Sequence, residues 1–328
     1  MTDAPSSMPI SHAPLTLEEI DEARTRIAGA AIRTPLVRLD IDLPQAEIYL
    51  KLEVLQPVGS FKIRGAGSLI GSVGSDDLAD GVWTASAGNM AQGVAWAARR
   101  LGVPCRVVVP DHAPRTKLDA IARLGGEVIP VPFAAWWGVI QDHGRPGMEG
   151  LFVHPVSDRG VIAGNGTIGL EILEDLPDVD AVVVPYGGGG LSCGIASALR
   201  AHRPEARVYA AEVDTAAPFA ASLEADEPSE VERLPSFVDG IGGKSVLPEM
   251  WPLAKSLLAG SLVVSLEEVA QAIRILAVRN HVIAEGAGAA GVAAALAGGA
   301  GSGKVVCVVS GGNIDAEILG PILQGRMP

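Results

Sequence analysis

The sequence predicts an α/β protein built on open, parallel-rich sheets flanked by helices, and three observations point there. Short β-branched apolar runs alternate with helical periods along both halves of the chain. Glycine-rich turns directly follow several of those runs. A length of 328 residues, 48% hydrophobic and 19% charged, allows two domains with a sizeable core.

Residues 1–15 open with Pro, Ser and Asp and lack a basic start or an apolar run, so they read as a flexible tail rather than a signal peptide. Thr16-Leu-Glu-Glu19 is a capping box, with Leu17, Ile20, Ala23 and Ile27 at helical spacing, and Arg33-Thr-Pro35 stops that helix. Ile48 to Glu53 alternates like a short strand. From Gly81 the pattern is strand (Val82–Ala85), helix (Ala91–Leu101), strand (Cys105–Pro110), helix (Arg115–Leu124) and strand (Glu127–Pro132). Such alternation implies a parallel sheet. A Trp- and Gly-rich connection, Phe133 to Gly150, closes this unit. The second half repeats the alternation, with strands at Ala181–Pro185, Val208–Glu212 and Lys304–Ser310 and a helix over Leu191–His202. Ser265-Leu-Glu-Glu268 caps another helix, and Asp226 to Pro235 is an acidic loop.

Composition excludes several functions. A formal charge of −13 disfavours nucleic acid and anionic membranes as partners, because both attract clustered Lys and Arg. Gly286 to Gly303 is uncharged, yet its Ala and Gly gain little from hydrocarbon, so a close-packed helix is expected and not a membrane span. Cys105, Cys193 and Cys307 are scattered and odd in number, which fits a reducing cytoplasm better than disulfides or zinc. The six His residues have no ligand spacing.

Four segments carry chemistry. Lys62 lies in Gln56-Pro-Val-Gly-Ser-Phe-Lys-Ile-Arg-Gly65, and Ser86-Ala-Gly-Asn-Met-Ala-Gln-Gly93 follows. Downstream come Gly187-Gly-Gly-Gly-Leu191 and Ser310-Gly-Gly-Asn313. Glycines between a strand and a helix let backbone N–H groups approach a phosphate at the helix N-terminus; a plain βα turn is the alternative. Neither a dinucleotide fingerprint nor a Walker Gly-Lys-Ser is present. Taken singly, Lys62 could be a solvated surface Lys, and Ser86 or Ser310 an ordinary cap.

Together, in this order and spacing, the four segments resemble the active site of the pyridoxal-phosphate (PLP) dependent serine/threonine dehydratase and serine racemase family. The resemblance runs from about Thr16 to Asp315. It implies the two-domain tryptophan synthase β-like fold (fold type II), with residues 16–75 and 152–328 as a large PLP-binding domain and 76–151 as a small inserted substrate-binding domain. It further implies that Lys62 carries PLP and shuttles the Cα proton, and that Gly187, Gly188, Gly189, Gly190 and Leu191 bind the phosphate. Asn89 then meets the phenolic oxygen of PLP and Ser310 its pyridine nitrogen, while Ser86, Ala87, Gly88, Asn89 and Met90 receive the substrate carboxylate. A neutral Ser310 hydroxyl makes the ring a weaker electron sink than a carboxylate would, which disfavours transamination. Glu285 matches an acidic residue near the ring in relatives, with a surface helix cap as the equal alternative.

Two departures from the family pattern matter. Racemases of the group carry Ser where this chain has Ala87, which removes the second proton carrier. Met90 replaces a usual His, which implies a more apolar substrate side chain or altered carboxylate binding; Trp136 and Trp137 are either lining for such a pocket or ordinary buried packing. Glu212 and Ala216 mark a divalent-metal site of some relatives, but the companion acid falls on Pro218, so metal binding is poorly supported. The expectation is a cytoplasmic, homodimeric PLP-dependent ammonia-lyase. Its substrate would be a β-hydroxy α-amino acid, of the threonine or serine type or a bulkier aryl one such as phenylserine. The rivals are an amino-acid racemase and a PLP-binding protein of low activity. Because the chain ends soon after Asn313, the regulatory domain of biosynthetic threonine dehydratases is not expected.

Overall fold

The computed structural model describes residues 13–113 and 115–328. Most of the expected tail, residues 1–12, lies outside the described residues. Leu15 at its end is buried, and its N–H donates to Ser197 Oγ.

The strands in chain order are β1 (Leu36–Arg38), β2 (Ala46–Lys51), β3 (Val82–Ala85), β4 (Cys105–Pro110), β5 (Gly126–Val131), β6 (Leu151–Phe152), β7 (Ala181–Pro185), β8 (Arg207–Val213), β9 (Gly260–Val264) and β10 (Gly303–Val308). The helices are α1 (Leu17–Arg26), α2 (Lys62–Ile70), α3 (Asn89–Leu101), α4 (Arg115–Arg123), α5 (Phe133–Gln141), α6 (Arg159–Asp175), α7 (Gly190–His202), α8 (Pro218–Ala225), α9 (Trp251–Leu257), α10 (Leu266–Arg279), α11 (Gly286–Leu296) and α12 (Ala316–Leu323).

A six-stranded sheet runs β1-β2-β10-β7-β8-β9, parallel except for β1 against β2. Every residue of β7 is buried, as expected of a strand covered on both faces. The pairing of β2 with β10 brings the start and end of the chain into one sheet. A wholly parallel four-stranded sheet, β5-β4-β3-β6, is built from the chain between them.

Both capping boxes form, on α1 and α10. The uncharged segment from Gly286 becomes α11, buried from Gly286 to Ala295. Among the described residues no helix is long and apolar enough to cross a membrane.

Several elements are absent from the sequence reading, among them the short β1 and β6 and the helices α2, α8, α9 and α12. The connection expected from Phe133 contains α5, and Gly260–Val264 adds the edge strand β9. The 17-residue α6 was not anticipated, because Gly160, Gly164, Gly166 and Gly169 depress helix propensity. Two of those glycines serve packing. A Cβ at Gly164 would stand 2.3 Å from the Arg64 carbonyl oxygen on α2, and one at Gly169 would stand 2.8 Å from Ala198 Cβ on α7. Asp158 starts the helix, accepting from Gly160 N (2.8 Å) and Val161 N (3.4 Å).

Candidate active site

Lys62 is the first residue of α2, and the turn before it docks on the loop after β10. Phe61 N donates to Ser310 O (3.0 Å) and Gly312 N to Gly59 O (2.9 Å). Gly59 needs to be glycine twice over: its φ is +70°, and a Cβ would stand 2.8 Å from Asn313 Oδ1. Asn313 Nδ2 then donates to Val58 O (2.9 Å) and to Asn89 Oδ1 (2.8 Å). Three of the four sequence segments are thereby joined. The fourth, Gly187–Gly190, meets Lys62 through residues 155 and 156. Pro155 O accepts from Lys62 Nζ at 3.2 Å, and the Val156 side chain lies 2.5 Å from where a Gly188 Cβ would be.

The α2 helix is anchored one half-turn beyond Lys62 by a buried charge network that sequence reading missed. Arg64 donates to both oxygens of Glu53 (2.8 and 2.8 Å) and both of Glu171 (2.7 and 2.9 Å). Lys51 Nζ lies 2.6 Å from Glu171 and 2.7 Å from Thr34 O, and Thr34 Oγ1 donates to Glu53 (2.6 Å). Two cations face two carboxylates with their hydrogen-bonding sites filled, the condition under which buried charge is tolerated. No local signal marks this network, since Lys62 is charged in the same helix and Glu171 lies 107 residues away from Arg64.

Asn89 opens α3, and its amide is fixed from both ends, since Nδ2 donates to Glu285 Oε1 at 2.7 Å. A second Nδ2 hydrogen remains available. Glu285 stands at the start of α11, held by Glu285 N donating to Gly311 O (3.0 Å). Burial first, and then the Asp239 carboxylate, push Glu285 up to about 7; the Asn89 hydrogen bond, Lys117 and Lys62 pull the other way. Burial brings the Lys62 amine down to about 8 against the opposing pull of Glu285. A neutral amine is thus accessible near neutral pH.

These directions give an expected result in cofactor-free protein. Lys62 should react with an amine-directed reagent with a midpoint near pH 8, because only the neutral amine is nucleophilic. In Glu285→Gln the carboxylate that favours the ammonium is gone, so the midpoint should move to lower pH. Peptide-resolved labelling across pH checks both; a midpoint at the ordinary lysine value in both proteins would contradict the site's electrostatics.

The glycine loop continues from β7 into α7, with Gly189 at φ +92° and Gly190 as the first helical residue. Gly187 and Gly188 are half-buried, and Leu191 is buried in the core. Ser310 is buried in the loop just after β10, and its hydroxyl makes no hydrogen bond to another described residue. On the β3–α3 turn, Ser86, Ala87 and Gly88 are half-buried, and Ser86 Oγ accepts from Gly88 N (3.2 Å). Gln92 is buried, and Gly93 packs on the Lys62 backbone, where a Cβ would stand 3.0 Å from Lys62 C.

Met90 packs in the core. Its side chain is 2% exposed and belongs to the apolar cluster that includes Ala66, Leu69, Val94 and Val107. A thioether packed there fills the core beneath α3. Trp136 and Trp137 form an aromatic row with Phe133 on α5, half-buried against the core. Glu212 is committed elsewhere as well. Its carboxylate accepts from Phe219 N (2.9 Å), Ala220 N (2.8 Å) and Ser261 Oγ (2.5 Å), holding the N-terminus of α8. Ala216 is buried beside it in sequence and offers no side-chain ligand.

The structure also gathers a cluster that the sequence hid, His143, His154 and Glu249, with potential ligand atoms within 4.8 Å of one another. The two imidazoles stack 4.3 Å apart with planes only 9° from parallel. Ring-nitrogen lone pairs lie in the ring plane, so these do not converge on one point. The cluster is a hydrogen-bonded stack in which His143 Nε2 lies 3.2 Å from Glu249 Oε1.

The chemistry of the residues present suits PLP. The loop offers backbone without side chains at a helix N-terminus, the amine of Lys62 is depressed, and Ser310 has an uncommitted hydroxyl. A Cβ at Gly311 would stand 2.4 Å from Glu285 Oε1 and 3.1 Å from Asn89 Nδ2, so glycine there keeps that pair in reach.

Comparison with known proteins agrees. Residues 27–311 match the family described as pyridoxal-phosphate dependent enzyme. The L-threonine ammonia-lyase of Thermotoga maritima is 42% identical over 94% of this chain and 78% of its own length. The catabolic L-threonine dehydratase of Escherichia coli (strain K12) is 36% identical over 94% of this chain and 96% of its own. Among solved structures, maize serine racemase superposes with a TM-score of 0.85 at 31% identity, covering 95% of this chain and 98% of that one.

Proposed function

The chain belongs to the family of pyridoxal-phosphate dependent enzymes, and we propose that it is an ammonia-lyase converting a 3-hydroxy α-amino acid of the threonine or serine type to a 2-oxo acid and ammonia. The observation that carries this reading is the convergence of all four segments on a lysine whose amine is depressed to about 8. When bound, the cofactor supplies an electron sink that acidifies the substrate Cα–H. Lys62 would bear the cofactor and then take that proton at Nζ. Backbone N–H groups of Gly187 to Leu191 would hold the phosphate, Asn89 Nδ2 the ring oxygen and Ser310 Oγ the ring nitrogen. Ser86 to Met90 would receive the substrate carboxylate through backbone N–H groups. In this reading residues 76–151 are a small substrate-binding domain, and 16–75 with 152–328 a large one that carries the cofactor.

The likeness to a serine racemase favours one second reading, amino-acid racemisation. Ala87 counts against it, because a methyl group cannot deliver a proton to the opposite face of Cα. The test is product analysis with L-threonine, L-serine and phenylserine in the wild type and in Met90→His. The 2-oxo acid and ammonia should form in equal amounts. D-amino acid should form at least ~10²-fold more slowly, the usual worth of a missing general acid–base group. Met90→His should lower stability by about 1–3 kcal/mol, through a buried imidazole lacking a partner, and leave the threonine-to-phenylserine preference unchanged. D-amino acid as the main product would favour the racemase, and a shifted preference would return Met90 to the substrate pocket.

A further inference from the structure

We infer that His154 is a positioning residue: its imidazole fixes the turn Pro155–Ser157 against both Lys62 and the glycine loop, so that tight cofactor binding depends on it. The inference rests on the reading of Lys62 and Gly187–Gly190 given above.

The turn leaves the four-stranded sheet after β6 and leads into α6, with Val153 O tied to Thr84 Oγ1 (2.8 Å) before it and Asp158 capping α6 after it. His154 is fully buried at its start. Its Nε2 lies 3.1 Å from Ile140 O, which can only accept, so Nε2 carries the proton and Nδ1 is an acceptor. Around that single acceptor the turn wraps, with Val156 N at 3.2 Å, Ser157 N at 2.8 Å and Ser157 Oγ at 2.9 Å. The ring itself cannot swing. His143 stacks on it at 4.3 Å, and Phe152 meets it edge-on at 5.9 Å and 80°. Burial and the neighbouring His143 push its pKa down to about 3, so the ring is neutral at working pH, and the Ile140 carbonyl keeps its one proton on Nε2.

Each residue so held touches the site. Pro155 presents its carbonyl to Lys62 Nζ at 3.2 Å. Val156 braces the loop twice: its Cγ1 lies 2.5 Å from the place of a Gly188 Cβ, and its carbonyl oxygen 2.5 Å from that of a Gly190 Cβ. The imidazole thus connects the amine and the glycine loop without touching either. A residue on the segment that leaves the four-stranded sheet thereby sets the spacing between two parts of the cofactor site.

Asparagine and glutamine separate the two nitrogens. Asn Oδ1 occupies the place of Nδ1, one bond beyond Cγ, and can accept from the turn; Gln Nε2 reaches toward Ile140 O but leaves the turn without its acceptor. The experiment is a PLP titration of the cofactor-free His154→Asn and His154→Gln proteins by fluorescence, with thermal unfolding alongside and borohydride mapping of the wild type. The inference expects Gln to bind PLP about tenfold or more weaker than Asn, the worth of one to two buried hydrogen bonds, with similar melting temperatures for the two cofactor-free proteins. Equal affinities or the reverse order would overturn it. Failure of either variant to fold would overturn it as well, because the imidazole would then be holding the fold rather than the turn. If wild-type mapping finds Lys62 unlabelled, the site reading fails and takes this inference with it; Lys62 labelled with equal variant affinities defeats this inference alone.

Discussion

Lys62→Ala should abolish turnover, by at least ~10⁴-fold in kcat, because one amine serves as both the covalent attachment and the proton carrier. The fold should survive. The side chain makes a single hydrogen bond, to Pro155 O at 3.2 Å, and removing an amine whose pKa burial depresses relieves a desolvation cost. Arg64 and its carboxylate partners continue to anchor α2. Steady-state kinetics with thermal unfolding checks both halves of the expectation. A variant that keeps more than about a hundredth of the activity would remove Lys62 from the chemistry, because loss of even one general acid–base group costs ~10²-fold or more.

Gly188→Asp should weaken PLP binding by at least ~10²-fold, with a like charge set against the phosphate where backbone N–H groups should meet it. Sterics act in the same direction, since the new Cβ would stand 2.5 Å from Val156 Cγ1 and must push aside the residue that braces the loop. The damage should stay local, because β7 and most of α7 pack through residues the change does not touch. Titration of the cofactor-free protein reads the affinity, and circular dichroism the fold. Unchanged cofactor retention would take the phosphate away from this loop.

What the sequence revealed follows from how local each signal is. The runs that became β3, β4, β7 and β10 are dense in apolar residues, and both capping boxes are four-residue signals, so these elements were readable. The glycine loop declared itself because four glycines between a strand and a helix have few other uses. Helix α6 was hidden, because its glycines look like helix breakers until α2 and α7 are packed against them. Met90 shows a different limit. The helix was read as starting at Ala91, which left Met90 on the preceding turn with nothing local to show that its thioether points into the core. Partnerships across long separations, such as Asn89 with Glu285 and Asn313, or Arg64 with Glu53 and Glu171, leave no local trace at all. Those partnerships are what turn four recognisable segments into one site.

Borohydride reduction of the purified, PLP-loaded protein followed by peptide mapping tests the central claim most directly. The cofactor should be found on the peptide carrying Lys62 and on no other. Lys51 is fully buried between Glu171 and Thr34 O, and Lys117 is paired with Asp239, so neither amine is free in the way Lys62 is. Cofactor fixed at Lys51 or Lys117 instead would contradict the account.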